Sequence, residues 1–314
     1  MAANSSKTPV ALVTGFLGSG KTTLLSRLLP HPDMGETAVI VNELGEVAID
    51  HHLLRRVDER TVLLRSGCVC CSLRGDLADE LRDLLGKRTR GEIPHFRRVV
   101  VETTGLADPA PILYTLVSEP VVKHHFHLER VIATVDAVHG LRGSESIKQV
   151  VAADRLVMTK IDLADAGDLE RRLRRLNPTA EILEASFGEI EPGALFGGTE
   201  RDLRHLSFDE HTHHDGVRAC CLVFDEPLDW TAFGIWLTML LQSRGQDVLR
   251  VKGLLDVGGP GPLVLNGVQH VIHPPVHLDA WPDEDRRSRI VFIGRGFEEE
   301  QLAASLAAFN RAAQ

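Results

Sequence analysis

The chain has 314 residues, of which 43% are hydrophobic and 25% charged, with a formal net charge of -9. That length suits two domains, each able to bury a core, and excludes a small scaffold that folds only around disulfides or a metal. The acidic balance, with no basic stripe to offset it, argues against a nucleic-acid partner. No apolar run reaches the roughly 18 residues of a membrane span. The polar start MAANSSKT lacks the features of a secretion signal. These features predict a cytoplasmic protein with no membrane partner.

In chain order, the first element is an apolar strand at 10–14, followed by Gly15-Phe16-Leu17-Gly18-Ser19-Gly20-Lys21-Thr22 and an amphipathic helix at 21–29. The pattern G-x-x-x-x-G-K-[ST] between strand and helix is a phosphate-binding loop. Gly15, Gly18, Ser19 and Gly20 let backbone N–H groups turn toward phosphates, and the helix N-terminus adds its dipole. Lys21 is placed for the β- and γ-phosphates, the Thr22 hydroxyl for Mg²⁺, and Thr23 stands beside it in the first helical turn.

A second strand, 38–42, leads into Asn42-Glu43-Leu44-Gly45-Glu46 and on to Asp50. Acids at this position place an attacking water or complete a metal site, the alternative being a solvated polar loop. A third strand, 61–65, precedes Cys68-Val69-Cys70-Cys71. Three thiols this close do not pair off with one another, but alternate ones can converge on Zn²⁺, Co²⁺ or Ni²⁺. A buried apolar cluster and a redox couple remain open readings.

After a helix at 74–85, strand 99–102 ends in Glu102, and Thr103, Thr104 and Gly105 follow. An apolar strand ending in a carboxylate fits a Walker B element that orders water on Mg²⁺, and the Gly105 N–H is then free for a γ-phosphate. Strands at 131–136 and 156–159 come next, the latter leading to Thr159-Lys160-Ile161-Asp162. Asp162 can accept from both N1–H and the exocyclic amine of guanine, a donor pair that adenine lacks. After a helix at 169–176 and a further strand, Ala185-Ser186 supplies a backbone contact for the guanine oxygen. The alternation of strand and helix predicts a wound, mostly parallel α/β sheet with ligands at the carboxyl ends of its strands.

From 187 to 215 the chain is rich in Gly, Glu, Asp and His, including His211, His213 and His214, and reads as a linker. Beyond it come a strand at 217–224, a helix at 229–242, strands at 248–257, 263–265 and 289–293, and a helix from 298. This order predicts a smaller α+β domain on an antiparallel sheet. The expected limits are 1–205 for the first domain, 206–216 for the linker and 217–314 for the second. Cys220 and Cys221 lie in an apolar run and read as packing residues.

Together GFLGSGKTT, NELGEVAID, GCVCC, VVVETTGLADP, VDAVHG and TKID resemble the CobW-type GTPases of the CobW/HypB/UreG group, and segments 249–255, 266–269 and 291–294 look like landmarks of the CobW C-terminal domain. The resemblance implies a P-loop NTPase fold and GTP hydrolysis coupled to loading or release of a transition metal. It also implies Cys68, Cys70 and Cys71 as metal thiolates, with Glu43 and Glu46 as nearby acidic ligands. Lys21, Glu102, Glu46 and Asp50 would then serve hydrolysis. Its partners would be GTP, Mg²⁺ and a client metalloprotein, and the chain a monomer or a metal-dependent homodimer. A metal sensor or store with regulatory nucleotide is the alternative.

Overall fold

The computed structural model describes residues 7–42, 62–66, 75–197, 213–214 and 216–313. The chain divides into two compact units, Met1–Glu170 with Ala180–Gly198, and Arg171–Thr179 with Thr199–Gln314.

The first unit begins with β1 (Thr8–Gly15), α1 (Lys21–Leu28), β2 (Thr37–Asn42), β3 (Val62–Ser66) and α2 (Gly75–Thr89). It continues through β4 (Arg98–Glu102), α3 (Pro109–Ser118), α4 (Pro120–His125), β5 (Phe126–Asp136) and α5 (Gly143–Ala152). Next come β6 (Arg155–Thr159), α6 (Gly167–Leu176), whose residues from Arg171 group with the second unit, β7 (Glu181–Ala185) and α7 (Pro192–Phe196). The strands form one sheet in the order β3-β2-β4-β1-β5-β6-β7, and the neighbours pair in parallel.

Val10, Ala11, Leu12 and Val13 are all buried, as are Val99, Val100 and Val101 beside them. Such unbroken apolar runs suit strands covered on both faces. The path leaves β1 to one side, returns to insert β4 between β2 and β1, and only then places β5 on the other side. The crossover direction therefore reverses at β1, which opens a crevice at the carboxyl edge. Residues lined up there include Val13 opposite Glu102, and Asp136 opposite Thr159, itself opposite Ala185.

Two segments depart from the sequence reading. β5 starts at Phe126 rather than near 131 because Thr8 and Pro9 pair with Phe126 and His127, so polar His127, Glu129 and Arg130 occupy strand positions. Residues 187–197, linker-like in composition although inside the expected 1–205 limits, belong to the first unit. Leu195 and Phe196 are buried in its core, and the Arg98 guanidinium lies 4.8 Å from the Phe196 ring centroid.

The second unit has β8 (His213–His214), β9 (Val217–Phe224), α8 (Trp230–Arg244), β10 (Val248–Leu255), β11 (Leu263–Val268), β12 (Val271–Ile272), β13 (Val276–His277), β14 (Ser288–Gly294) and α9 (Glu299–Ala313). Its antiparallel sheet runs β12-β11-β10-β14-β9-β8, with β13 against β11. His213 and His214, expected in the linker, pair with Arg218 and Val217 as an edge strand of this sheet. The Asp229 side chain caps α8 by accepting from the Ala232 amide at 2.7 Å. Phe233, Trp236, Leu237, Phe292 and Leu306 fill the core, and the Trp236 Nε1–H donates to Ser305 Oγ at 2.9 Å. Cys220 is buried in the same core, as expected of a packing residue. Among the described residues no helix is long and apolar enough to cross a membrane.

Candidate functional site

The loop between β1 and α1 is shaped by three glycines with positive φ: 142° at Gly15, 74° at Gly18 and 92° at Gly20. Only glycine enters this region without strain. At Gly15 space is also closed, since a Cβ would meet Thr134 Oγ1 at 2.3 Å and the Thr134 carbonyl oxygen at 2.5 Å. The Ser19 amide donates to the Phe16 carbonyl at 3.1 Å, completing the turn that points the loop into α1.

Lys21 is buried, and its ammonium donates to the carbonyls of Gly15 at 2.8 Å and Phe16 at 3.2 Å. Thr22 Oγ1 donates to Glu102 Oε1 at 2.6 Å, and Glu102 is buried. The sheet order produces this contact, for β4 lies next to β1 and carries Glu102 to the level of the loop. Thr23 faces outward and is exposed.

Beyond Glu102 the chain turns across the loop. The Thr103 amide donates to the Val13 carbonyl at 3.0 Å, and Thr103 Oγ1 to Thr14 Oγ1 at 2.9 Å. Gly105 then approaches the loop so closely that a Cβ would lie 2.6 Å from the Leu17 amide nitrogen.

The other side of the loop is held by β5 and β6. Ser19 Oγ lies 2.6 Å from Thr134 Oγ1, and Thr159 Oγ1 donates to the Ser19 carbonyl at 2.7 Å. Lys160, at φ 56°, bridges the Gly18 carbonyl at 2.9 Å and Asp136 Oδ2 at 2.6 Å. Asp136 also accepts from the Val138 amide at 2.7 Å and faces His139 Nδ1 at 2.8 Å. Burial opposes ionisation of Asp136, but the hydrogen bonds from His139, Lys160 and Val138 hold its pKa down to about 2. Asp162 is exposed, and Ser186 Oγ donates to its Oδ1 at 3.3 Å.

The described candidates therefore converge at one edge of the sheet: Gly15 to Thr22, Glu102, Gly105, Thr159, Lys160, Asp162 and Ser186. Sequence reasoning gave no role to Thr134, Asp136, His139 or Gln149. Asp136 and His139 had a visible signal, a polar end to an apolar strand followed by Gly140. Glu43, Glu46, Asp50, Cys68, Cys70 and Cys71 lie outside the described residues. The strand ends from which their segments leave are paired, Asn42 with Ser66, and Val41 is paired with Glu102. Among the described residues no group of three metal-ligating side chains occurs.

Residues 9–184 match the family described as CobW/HypB/UreG, nucleotide-binding domain, and residues 217–310 match the cobalamin synthesis protein cobW C-terminal domain. The chain is 36% identical to the zinc chaperone YjiA of Escherichia coli K12, over 96% of this chain and 98% of that protein. It is 28% identical to the zinc chaperone CobW of a Sinorhizobium species, over 98% of each. The crystal structure of the Zn(II)-bound YjiA GTPase superposes with a TM-score of 0.75 at 32% identity, covering 96% of this chain and 99% of that one. A phosphate loop clasped by Glu102 on one side and Lys160 on the other, followed by a separate antiparallel domain, is thus found in a chain that belongs to the CobW/HypB/UreG family.

Proposed function

We propose that this protein is a GTPase that hydrolyses GTP to GDP and phosphate to drive transfer of a transition metal, Zn²⁺ foremost, with Co²⁺ or Ni²⁺ as alternatives, to a client metalloprotein. The observation that carries the hydrolytic half is the 2.6 Å contact between Thr22 Oγ1 and Glu102 Oε1 under the glycine-formed loop. A hydroxyl and a carboxylate at that distance are the oxygen donors a hard divalent cation takes, so the residues suit Mg²⁺. Mg²⁺, held by Thr22 and Glu102, would supply charge neutralisation for the phosphates. Lys21 would exchange the Gly15 and Phe16 carbonyls for the phosphates, and the Gly105 amide would meet the γ-phosphate. Asp162, oriented by Ser186, selects guanine.

Cys68, Cys70 and Cys71 are proposed as the thiolates that carry the metal, with Glu43 and Glu46 beside them. Glu46 and Asp50 are proposed to place the attacking water. The resemblance to two proteins named zinc chaperones supports the metal half.

Lys21→Ala separates this reading from a metal store with incidental nucleotide binding. The variant is expected to lose Zn²⁺-stimulated release of phosphate from GTP while still binding Zn²⁺ in equilibrium dialysis. Phosphate release at the wild-type rate would refute the proposal.

A further inference from the structure

α5 carries a buried glutamine that the reaction as described leaves without a role. Gln149 is 1% exposed and stands among Ile147, Val150 and Val151 of the helix's apolar side. Its Nε2 donates to two carbonyls at once, Gly105 at 3.1 Å and Ala107 at 3.0 Å. Its Oε1 is buried and has no hydrogen-bond partner among the described residues. A buried position that served packing alone would favour an apolar side chain, since an amide oxygen left unsatisfied is costly. What distinguishes glutamine here is the pair of donors, and both are spent on the turn after Glu102.

The neighbouring residue acts on the same turn. Lys148 Nζ lies 2.8 Å from Asp108 Oδ2, while Asp108 Oδ1 accepts the Ala110 amide at 3.0 Å at the start of α3. Within the turn the Ala107 amide donates to the Thr104 carbonyl at 3.1 Å. On its opposite side Gly105 abuts Leu17 of the phosphate loop. The turn is therefore caught between the loop and α5, and Gln149 fixes the two carbonyls that flank Leu106.

We infer that Gln149 is a positioning residue for GTP hydrolysis, which sets where the Gly105 amide lies and thereby how well the turn meets a γ-phosphate. The inference rests on the hydrolytic reading given above. GDP lacks the γ-phosphate, so its binding does not use the turn. The consequence is a split: loss of the two donors slows turnover of GTP and leaves GDP affinity in place.

The test compares Gln149→Met, close in shape but without donors, with the wild-type full chain in the presence of Mg²⁺ and Zn²⁺. kcat for GTP is expected to fall about tenfold or more, because displacement of a catalytic contact by a fraction of an ångström has effects of that order. The Kd of a fluorescent GDP analogue is expected to stay within about twofold. A wild-type kcat in the variant, or parallel losses in kcat and GDP affinity, would overturn the inference. Should the methionine variant not fold, Gln149→Asn keeps the amide but is too short to span both carbonyls. The same split is expected of it, and an unchanged kcat counts against the inference. A wild-type protein that hydrolyses no GTP overturns the hydrolytic reading as well, whereas a hydrolysing wild type with an unchanged variant overturns this inference alone.

Discussion

Replacing Asp136 with Asn removes a charge that three groups stabilise. The carboxylate is 7% exposed and contacts Lys160 Nζ at 2.6 Å, His139 Nδ1 at 2.8 Å and the Val138 amide at 2.7 Å. Its pKa falls from 3.8 to about 2. A depressed carboxylate pKa means that folding favours the ionised form. The stabilisation is full above the unfolded value and is lost as pH falls through the folded one. The shift corresponds to about 2 kcal/mol at neutral pH, shrinking to roughly half of that near pH 3. Urea denaturation of wild type and Asp136→Asn, followed from about pH 7 down to about pH 3, is expected to show a stability gap that narrows by about 1 kcal/mol over that range. A gap that is the same at both ends would mean that the charge of Asp136 is not what the Lys160 and His139 contacts hold, and would refute the reasoning.

Thr159→Val keeps the shape of the side chain but deprives the Ser19 carbonyl of its 2.7 Å donor; a loss of about 1 kcal/mol is expected, with weaker binding of a fluorescent GDP analogue. Wild-type GDP affinity would rule out a role for this hydroxyl in shaping the loop. Cys220 is predicted to be inert to a thiol reagent at about pH 8 in the folded chain, and the half-buried Cys221 to react more slowly than after denaturation, because burial pushes both thiols up to about 12. Reaction of Cys220 before denaturation, or of Cys221 at the denatured rate, would contradict that burial. Trp236→Ala removes the ring that meets Phe292 edge-on at 5.8 Å and holds Ser305 Oγ. It is expected to lower stability by roughly 3–5 kcal/mol in guanidinium melts, and a loss below about 1 kcal/mol would place the ring outside the core.

What was legible in the sequence was local. Gly15, Gly18 and Gly20 announce their positive φ values because no other residue tolerates them well. Lys21 and Thr22 follow at fixed offsets in the first turn of a helix. Glu102, Thr159 and Asp162 were readable because each ends or follows an apolar strand, the place where a parallel sheet exposes its ligands. The contacts that join these pieces were not readable. Ser19 and Thr134 are separated by 115 residues, Gln149 and Gly105 by 44, and Lys160 and Asp136 by 24. No pattern in a short window specifies such pairs, because the strand order brings them together. The extended start of β5 was hidden by His127, Glu129 and Arg130, whose polarity breaks the apolar run although Arg130 is itself buried and donates to the Gly197 carbonyl at 3.3 Å. The change in composition near 187 signalled polarity, not a boundary, since Leu195 and Phe196 still serve the first core.

The distribution of contacts around the phosphate loop bears on how nucleotide state reaches the proposed metal ligands. On the β5 and β6 side Gly18, Ser19 and Thr14 are held by Lys160, Thr159 and Thr134, which lie in or just after those strands. On the β4 side the links are Thr22 to Glu102, Thr103 to Thr14, and the turn that Gln149 secures from α5. The γ-phosphate is proposed to meet the Gly105 turn, which lies on the β4 flank. On that flank β4 pairs with β2, which pairs with β3. The segments bearing Glu43, Glu46 and the three cysteines begin at the ends of those two strands. If GTP and GDP hold the turn differently and those segments follow it, metal affinity differs between the two complexes, and by linkage the metal alters the ratio of GTP to GDP affinity by the same factor. The sheet order would therefore carry the proposed coupling from the γ-phosphate turn toward the side where the metal is proposed to sit.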